Sequence, residues 1–177
     1  TIENLPTLID RTVFPGVQGG PHMNTILAKA VSFNEALQPE FQTYAKQIIS
    51  NAKVLAEELM KRGLKLVTNG TDNHLILIDV HTSLGLNGNQ AEVALDAAGL
   101  TVNKNVIPDD PLPPFKPSGV RLGTPAITTR GFTEQHMPQL AEWIHGALLH
   151  STDTFKLSEI KSEVKELATQ FPLPSDS

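Results

Sequence analysis

The chain has 177 residues, 40% of them hydrophobic, 19% charged and 5% aromatic, with a formal net charge of −5. That length suits one globular domain or a little more and can bury a sizeable core, while the acidic balance and the lack of any basic run argue against a polyanion binder. No cysteine occurs, which excludes disulfides, thiolate metal sites and cysteine nucleophiles, and no run of 18 apolar residues offers a membrane span.

Residues 1–13 carry a weak apolar pattern (Ile2, Leu5, Leu8, Ile9, Val13) and predict no strong element. Phe14 to Pro21 holds three Gly and two Pro in eight residues and reads as a loop. From His22 the apolar period becomes helical, with Met23, Ile26, Leu27, Ala30 and Val31 on one face. Pro39 is expected to break that run near Leu37. A second helix then carries Phe41, Tyr44, Ile48, Leu55 and Leu59, with Lys61 and Arg62 in its last turn and Gly63 just past its end.

Beyond Gly63 the period is two. Residues 64–67 and 74–80 predict an antiparallel hairpin across the Asn69-Gly70-Thr71-Asp72-Asn73 turn. Asn87-Gly88 opens a helix that Gly99 ends, and Leu100-Thr101-Val102 reads as a short strand. Five prolines between Asn103 and Gly119 rule out a helix or central strand there and predict a long loop. Val120-Arg121-Leu122 is a further strand, Thr133 is an N-cap for a helix from Glu134 to about His150, and a last helix runs from about Leu157 to Thr169. The tail, 171–177, is expected to fray. The order of elements predicts an α+β fold: a small, mostly antiparallel sheet with helices on one side. Residues 1–20 do not fit it and read as an arm that needs another surface.

Few residues could carry chemistry. Gly19 and Gly20 precede a helix, so their backbone N–H groups could hold a phosphate or carboxylate; a tight glycine turn is the plain alternative. Arg121 sits in a strand of small and apolar residues, where a buried guanidinium must be paired. Either it forms a structural salt bridge, or it clamps a substrate carboxylate with its planar fork. The six histidines show no metal-ligand spacing, so no metal is expected. Asp109-Asp110 reads as a solvated acidic turn, and Asn69-Gly70-Thr71 as a chance glycosylation sequon.

Four strings, in order, resemble the C-terminal part of serine hydroxymethyltransferase. They are Val13-Phe14-Pro15-Gly16-Val17-Gln18-Gly19-Gly20-Pro21-His22; Gly70-Thr71-Asp72-Asn73-His74-Leu75; Thr101-Val102-Asn103-Lys104-Asn105; and the run from Ser118 to Gly131. The resemblance spans residues 12–171. It implies the small domain of a fold type I pyridoxal-phosphate enzyme, divided as an arm and Gly-rich loop (1–21), connecting helices (22–62), a small domain (63–170) and a tail (171–177). It implies a transferase of one-carbon metabolism that converts serine and tetrahydrofolate to glycine and 5,10-methylenetetrahydrofolate, with pyridoxal 5'-phosphate as cofactor.

Residue by residue, the resemblance implies that Gly19 and Gly20 offer backbone N–H groups to the cofactor phosphate of a neighbouring subunit. Arg121 would clamp the amino-acid carboxylate. Asn105 and the stretch Leu112, Pro113, Pro114, Phe115 would contact the folate; this stretch is one proline richer than the bacterial pattern, and Pro113 has no N–H to donate. The lysine that binds the cofactor covalently, in a Thr-Thr-His-Lys context, is expected upstream of the Phe-Pro-Gly loop and is not in this sequence. The chain, which starts at Thr1, is therefore expected to be a fragment, inactive alone, with no catalytic residue of its own. Its expected partners are the N-terminal large domain and a second subunit of a homodimer or tetramer, with no nucleic acid or membrane. Its expected place is the cytoplasm or an organelle. Two rival readings are a non-catalytic folate-binding or dimerisation domain, and a piece of another fold type I transferase.

Overall fold

The computed structural model describes residues 4–173. The first three residues of the predicted arm and the tail positions 174–177 lie outside the described residues. The chain divides into two compact units, Thr1–Gln42 and Thr43–Ser177.

In the first unit, α1 spans Leu5–Arg11 and α2 spans Met23–Ala36. The sequence predicted no strong element before Val13, so α1 is a correction. Its physical basis is local: Pro6 stands in the first turn, where its missing N–H is harmless, and Arg11 stands in the last, where its charge suits the helix dipole. Thr12–Val17 is an irregular helical turn broken at Phe14 and Pro15, whose peptide bond is cis. The predicted loop continues from Gln18 to His22. No described residue of 4–42 is buried, and Leu8, Phe14, Val17, Leu27 and Phe33 are all more than half exposed.

α3 spans Pro39–Lys61, so Pro39 separates α2 from α3 as expected. In the second unit, Gly63 ends α3 at φ +84°, and the amides of Gly63 and Leu64 return to the carbonyls of Met60 and Leu59. There follow β1 (Lys65–Leu66), β2 (Leu75–Asp79), α4 (Val80–Leu84), α5 (Gly88–Ala97), β3 (Asn103–Asn105), β4 (Gly119–Gly123), α6 (Pro125–Thr129), α7 (Met137–Leu149) and α8 (Thr154–Thr169). The four strands form one antiparallel sheet in the order β1-β2-β4-β3. This bears out the α+β reading with its small antiparallel sheet and helices. None of the described helices is long and apolar enough to cross a membrane.

Two strand boundaries differ from expectation. Leu100 is buried in the core, but the backbone ladder starts only at Asn103, opposite Arg121. The strand read at 100–102 is thus at 103–105, taken from the expected loop, on a sheet edge where no central-strand rule applies. The short helices α4 and α6 were not predicted; Asp79 caps the first by accepting from the Thr82 amide at 2.9 Å. Thr133 starts its helix as expected, through a single 3₁₀ turn, Glu134–His136, before α7. At the C-terminal end Phe171 is not frayed: its ring lies 4.6 Å from that of Phe132 and 5.0 Å from His136.

The core lies against one sheet face. Leu66, Ile76, Ile78, Val120 and Leu122 pack with Leu55 and Leu59 of α3, Leu95 of α5, Trp143, Ile144 and Leu148 of α7 and Ile160 of α8. One polar group sits inside it. Asn51, fully buried, donates to Thr128 Oγ1 and to the Phe132 carbonyl, each at 2.9 Å, and accepts from Gln47 at 2.9 Å. Gln47 and Ser50 also bond the Glu134 carboxylate, which holds its pKa below the usual glutamate value. Replacing Asn51 by Leu keeps the volume and strands these partners. We expect a loss of about 1–3 kcal/mol, measured as a lower urea midpoint with unchanged slope; no change would mean water satisfies the orphaned groups.

Candidate functional site

The two-residue period of a strand sorts β4 into two sets. Val120 and Leu122 enter the core, so Arg121 points the other way. Across the ladder Leu77 and Asn103 stand opposite Arg121, and Asn105 stands opposite Gly119. Asn105 is therefore the diagonal neighbour of Arg121 on one face, about 7–8 Å away by sheet geometry. Leu75, exposed at the start of β2, and Lys65 of β1 belong to the same face.

The Arg121 side chain is exposed and makes no hydrogen bond or ion pair with any described residue. This corrects the expectation that a buried guanidinium here must be paired. The expected structural salt bridge is absent among the described residues, because the pleat turns Arg121 out of the core whose apolar members are its own neighbours in sequence. Among the described residues, the ion pair between two strands joins Lys65 Nζ to Asp79, 3.1 Å apart, while Lys104 of β3 pairs with Glu92 of α5 at 2.8 Å.

The loop from Val106 to Ser118 joins β3 to β4, and one side chain organises it. Asp110 accepts four hydrogen bonds: from the amides of Ile107 (3.1 Å), Leu112 (2.9 Å) and Ser118 (3.0 Å), and from the Ser118 hydroxyl (2.6 Å). Burial alone would raise its pKa, but these donors, Ser118 foremost, hold the carboxyl well below the usual range. Asp110 was read as a solvated acidic residue, and that reading is corrected. Asp109, its neighbour, takes a left-handed backbone at φ +52° and leaves the carboxylate of Asp110 turned inward. Its signal in the sequence was the Asp-Pro-x-Pro-Pro setting, where prolines leave few amides for a carboxylate to collect.

Leu112 is half-buried, while Pro113, Pro114 and Phe115 are exposed, Phe115 at 71%. The Pro113 carbonyl accepts from the Lys116 amide at 2.8 Å, and the Phe115 carbonyl from Asn89 at 3.2 Å. Asn105 is half-buried and donates to the Val106 carbonyl at 2.7 Å. Where the loop rejoins the sheet only glycine fits: a Cβ on Gly119 would lie 2.8 Å from the Asn105 carbonyl oxygen and 2.6 Å from Ile107. The structure thus brings Arg121 and Asn105 onto one face, with Leu112 to Phe115 on the loop that joins their strands.

Gly19 and Gly20 belong to the first unit. Their amides donate to no acceptor among the described residues. A Cβ at either would meet nothing within 4 Å, so packing within the chain does not demand glycine there. Among the described residues no three His, Asp or Glu side chains group to hold a metal. Burial and the Arg62 charge push the His145 pKa below the usual histidine value.

The Asp110 cage predicts a pH signature. A carboxyl held below its ordinary value contributes stability above the unfolded pKa of about 3.9, and loses it as pH falls through the folded value. The amide resonances of Ile107, Leu112 and Ser118 are expected to stay fixed from neutral pH to below about pH 4 and to move together only in stronger acid. In Asp110→Asn we expect hydrogen exchange at these amides to quicken by roughly tenfold per bond weakened, already at neutral pH. A common titration near pH 4 in the parent chain would contradict the caged carboxylate.

The family model of serine hydroxymethyltransferase matches residues 1–144. A serine hydroxymethyltransferase of Acidobacterium capsulatum is 54% identical over 165 residues, which cover 93% of this chain and 38% of that relative. The chain therefore spans well under half the length of this curated relative.

Proposed function

The chain belongs to the serine hydroxymethyltransferase family, and on that premise we propose that it supplies the amino-acid clamp, part of the folate pocket and a cofactor-phosphate contact in trans. The complete enzyme would interconvert serine plus tetrahydrofolate with glycine, 5,10-methylenetetrahydrofolate and water. The second unit corresponds, in this reading, to the small domain of a fold type I enzyme. Its partners are the N-terminal large domain and a second subunit of a homodimer or tetramer.

The observation that carries the proposal is Arg121. An arginine with no partner, fixed on a central strand by buried neighbours on both sides, is a cation waiting for an anion of matching shape. A guanidinium meets a carboxylate with two parallel N–H···O bonds, which fixes orientation as well as position. Held so, serine or glycine has one bond aligned for cleavage, and alignment rather than acid–base chemistry is what this residue contributes. Asn105, on the same face, offers an amide to the polar edge of a pterin, and exposed Phe115 offers an apolar ring to its body. Pro113 can offer only its carbonyl, and that oxygen already accepts from Lys116.

The residues present fit pyridoxal phosphate in part. The unpartnered amides of Gly19 and Gly20 suit its phosphate, and the open space about them lets an anion approach closely. When bound, the cofactor supplies the electron sink for the reaction. This chain holds no lysine in the Thr-Thr-His-Lys context, so its own residues bind and orient.

The test is Arg121→Ala in the enzyme assembled with its N-terminal portion. Serine affinity is expected to fall by roughly 30-fold to several thousandfold, as for one partner of a desolvated pair removed, with cofactor affinity nearly unchanged. Because the Arg121 side chain forms no ion pair among the described residues, the melting temperature is expected to hold. Arg121→Lys is expected to recover little, since a point charge lacks the planar fork. Unchanged serine affinity would overturn the clamp.

A further inference from the structure

A second site lies on the opposite side of β4 from Arg121. A cavity of about 270 Å³ opens between the β4 end, α6, α7 and α8. Its wall is apolar: Leu100, Val102, Leu122, Ile127, Trp143 and Val164 line it. One charged group breaks that wall. Arg130, at the C-terminal end of α6, lines the cavity and donates from one Nη to the Ala168 carbonyl in the last turn of α8. Its Nε is buried and has no hydrogen-bond partner, and Arg130 is in none of the ion pairs among the described residues.

A guanidinium on an apolar cavity, with a buried donor unused and no ion-pair partner among the described residues, is electrostatically incomplete. The Ala168 carbonyl, at a helix C-terminus, answers part of the charge; the unused donor stays costly. We propose that this cavity binds a small monocarboxylate with an apolar body, its carboxylate on Arg130 and its hydrocarbon against Leu122, Ile127 and Trp143. The shape argues for one anionic head, since the lining offers one cation, and for an uncharged tail, since the rest of the wall has little to bond it. A dicarboxylate or a sugar phosphate would leave polar atoms buried without partners. The site is separate from the Arg121 face, because Leu122 and Arg121 point to opposite sides of the same strand.

Trp143 is the only tryptophan in the chain and lines the cavity, so it reports occupancy directly. Octanoate is titrated into the 177-residue chain while Trp143 fluorescence is followed, with 1-octanol as the uncharged control. We expect a saturable change with octanoate, at least roughly tenfold tighter than with octanol, as for a bond to a charged group. Arg130→Gln is expected to erase that difference. Ala126→Leu, which fills the exposed rim, is expected to weaken both ligands and leaves Arg130 in place. The comparison of octanoate with octanol needs no variant, so it decides the matter even where Arg130→Gln does not fold. No saturable change, equal binding of acid and alcohol, or octanoate binding untouched by Ala126→Leu would overturn the proposal.

Discussion

The structure depends on the alternation along β4. Val120 and Leu122 are held in the core by α3, α5 and α7, and a pleated strand cannot bury two such residues without turning the one between them outward. That constraint makes the second unit two-sided. Helices and apolar side chains occupy one face; Arg121, Asn103, Asn105 and Lys65 share the other. The register across β2 and β3 carries the same sorting to every strand, since a slip of one residue would exchange the faces. The Arg121 side chain is thereby delivered to the surface without an ion-pair partner among the described residues.

Two polar clusters fix what the apolar core does not. Asn51 ties α3 to α6 through Thr128 and to the segment after it through Phe132, inside the core. Asp110 does the equivalent work for a stretch with no regular structure. The prolines of the 106–118 loop limit its backbone but also remove donors, and the carboxylate of Asp110 collects the amides left at Ile107, Leu112 and Ser118. A loop held at three points by one ion can present exposed Pro114 and Phe115 without collapsing on the core.

Much of this was legible in the residues, and the exceptions have physical causes. Helices α2, α3, α5, α7 and α8 announce themselves by period and by Pro39, Gly63 and Gly99 at their ends. α1, α4 and α6 are too short to show a period; of the three, α4 alone has a side-chain cap, at Asp79, while α1 and α6 have a proline in the first turn. β3 was misplaced because Leu100 to Val102 is apolar for packing rather than for pairing; edge strands such as Asn103-Lys104-Asn105 need no apolar run. The family strings picked out Arg121, Asn105 and the Gly19-Gly20 stretch, whereas the one local hint of the Asp110 cage is the proline-rich run that follows it. Asp110 is caged because the chain folds the amides of Ile107, Leu112 and Ser118 onto it. Arg121 is exposed, against expectation, for a simpler reason: its apolar neighbours Val120 and Leu122 alternate with it across the pleat and lie on the other face.

The placement of Arg121 has a mechanical consequence. Its Cα belongs to a strand anchored on the other side by the buried side chains of Val120 and Leu122, and packed side chains yield little under load. The stiffness with which that cation is held is thus borrowed from methyl groups it never touches. Ligand recognition on the open face and side-chain volume at Val120 and Leu122 are coupled through a single backbone, so drift in the core is free to change affinity long before it changes the fold.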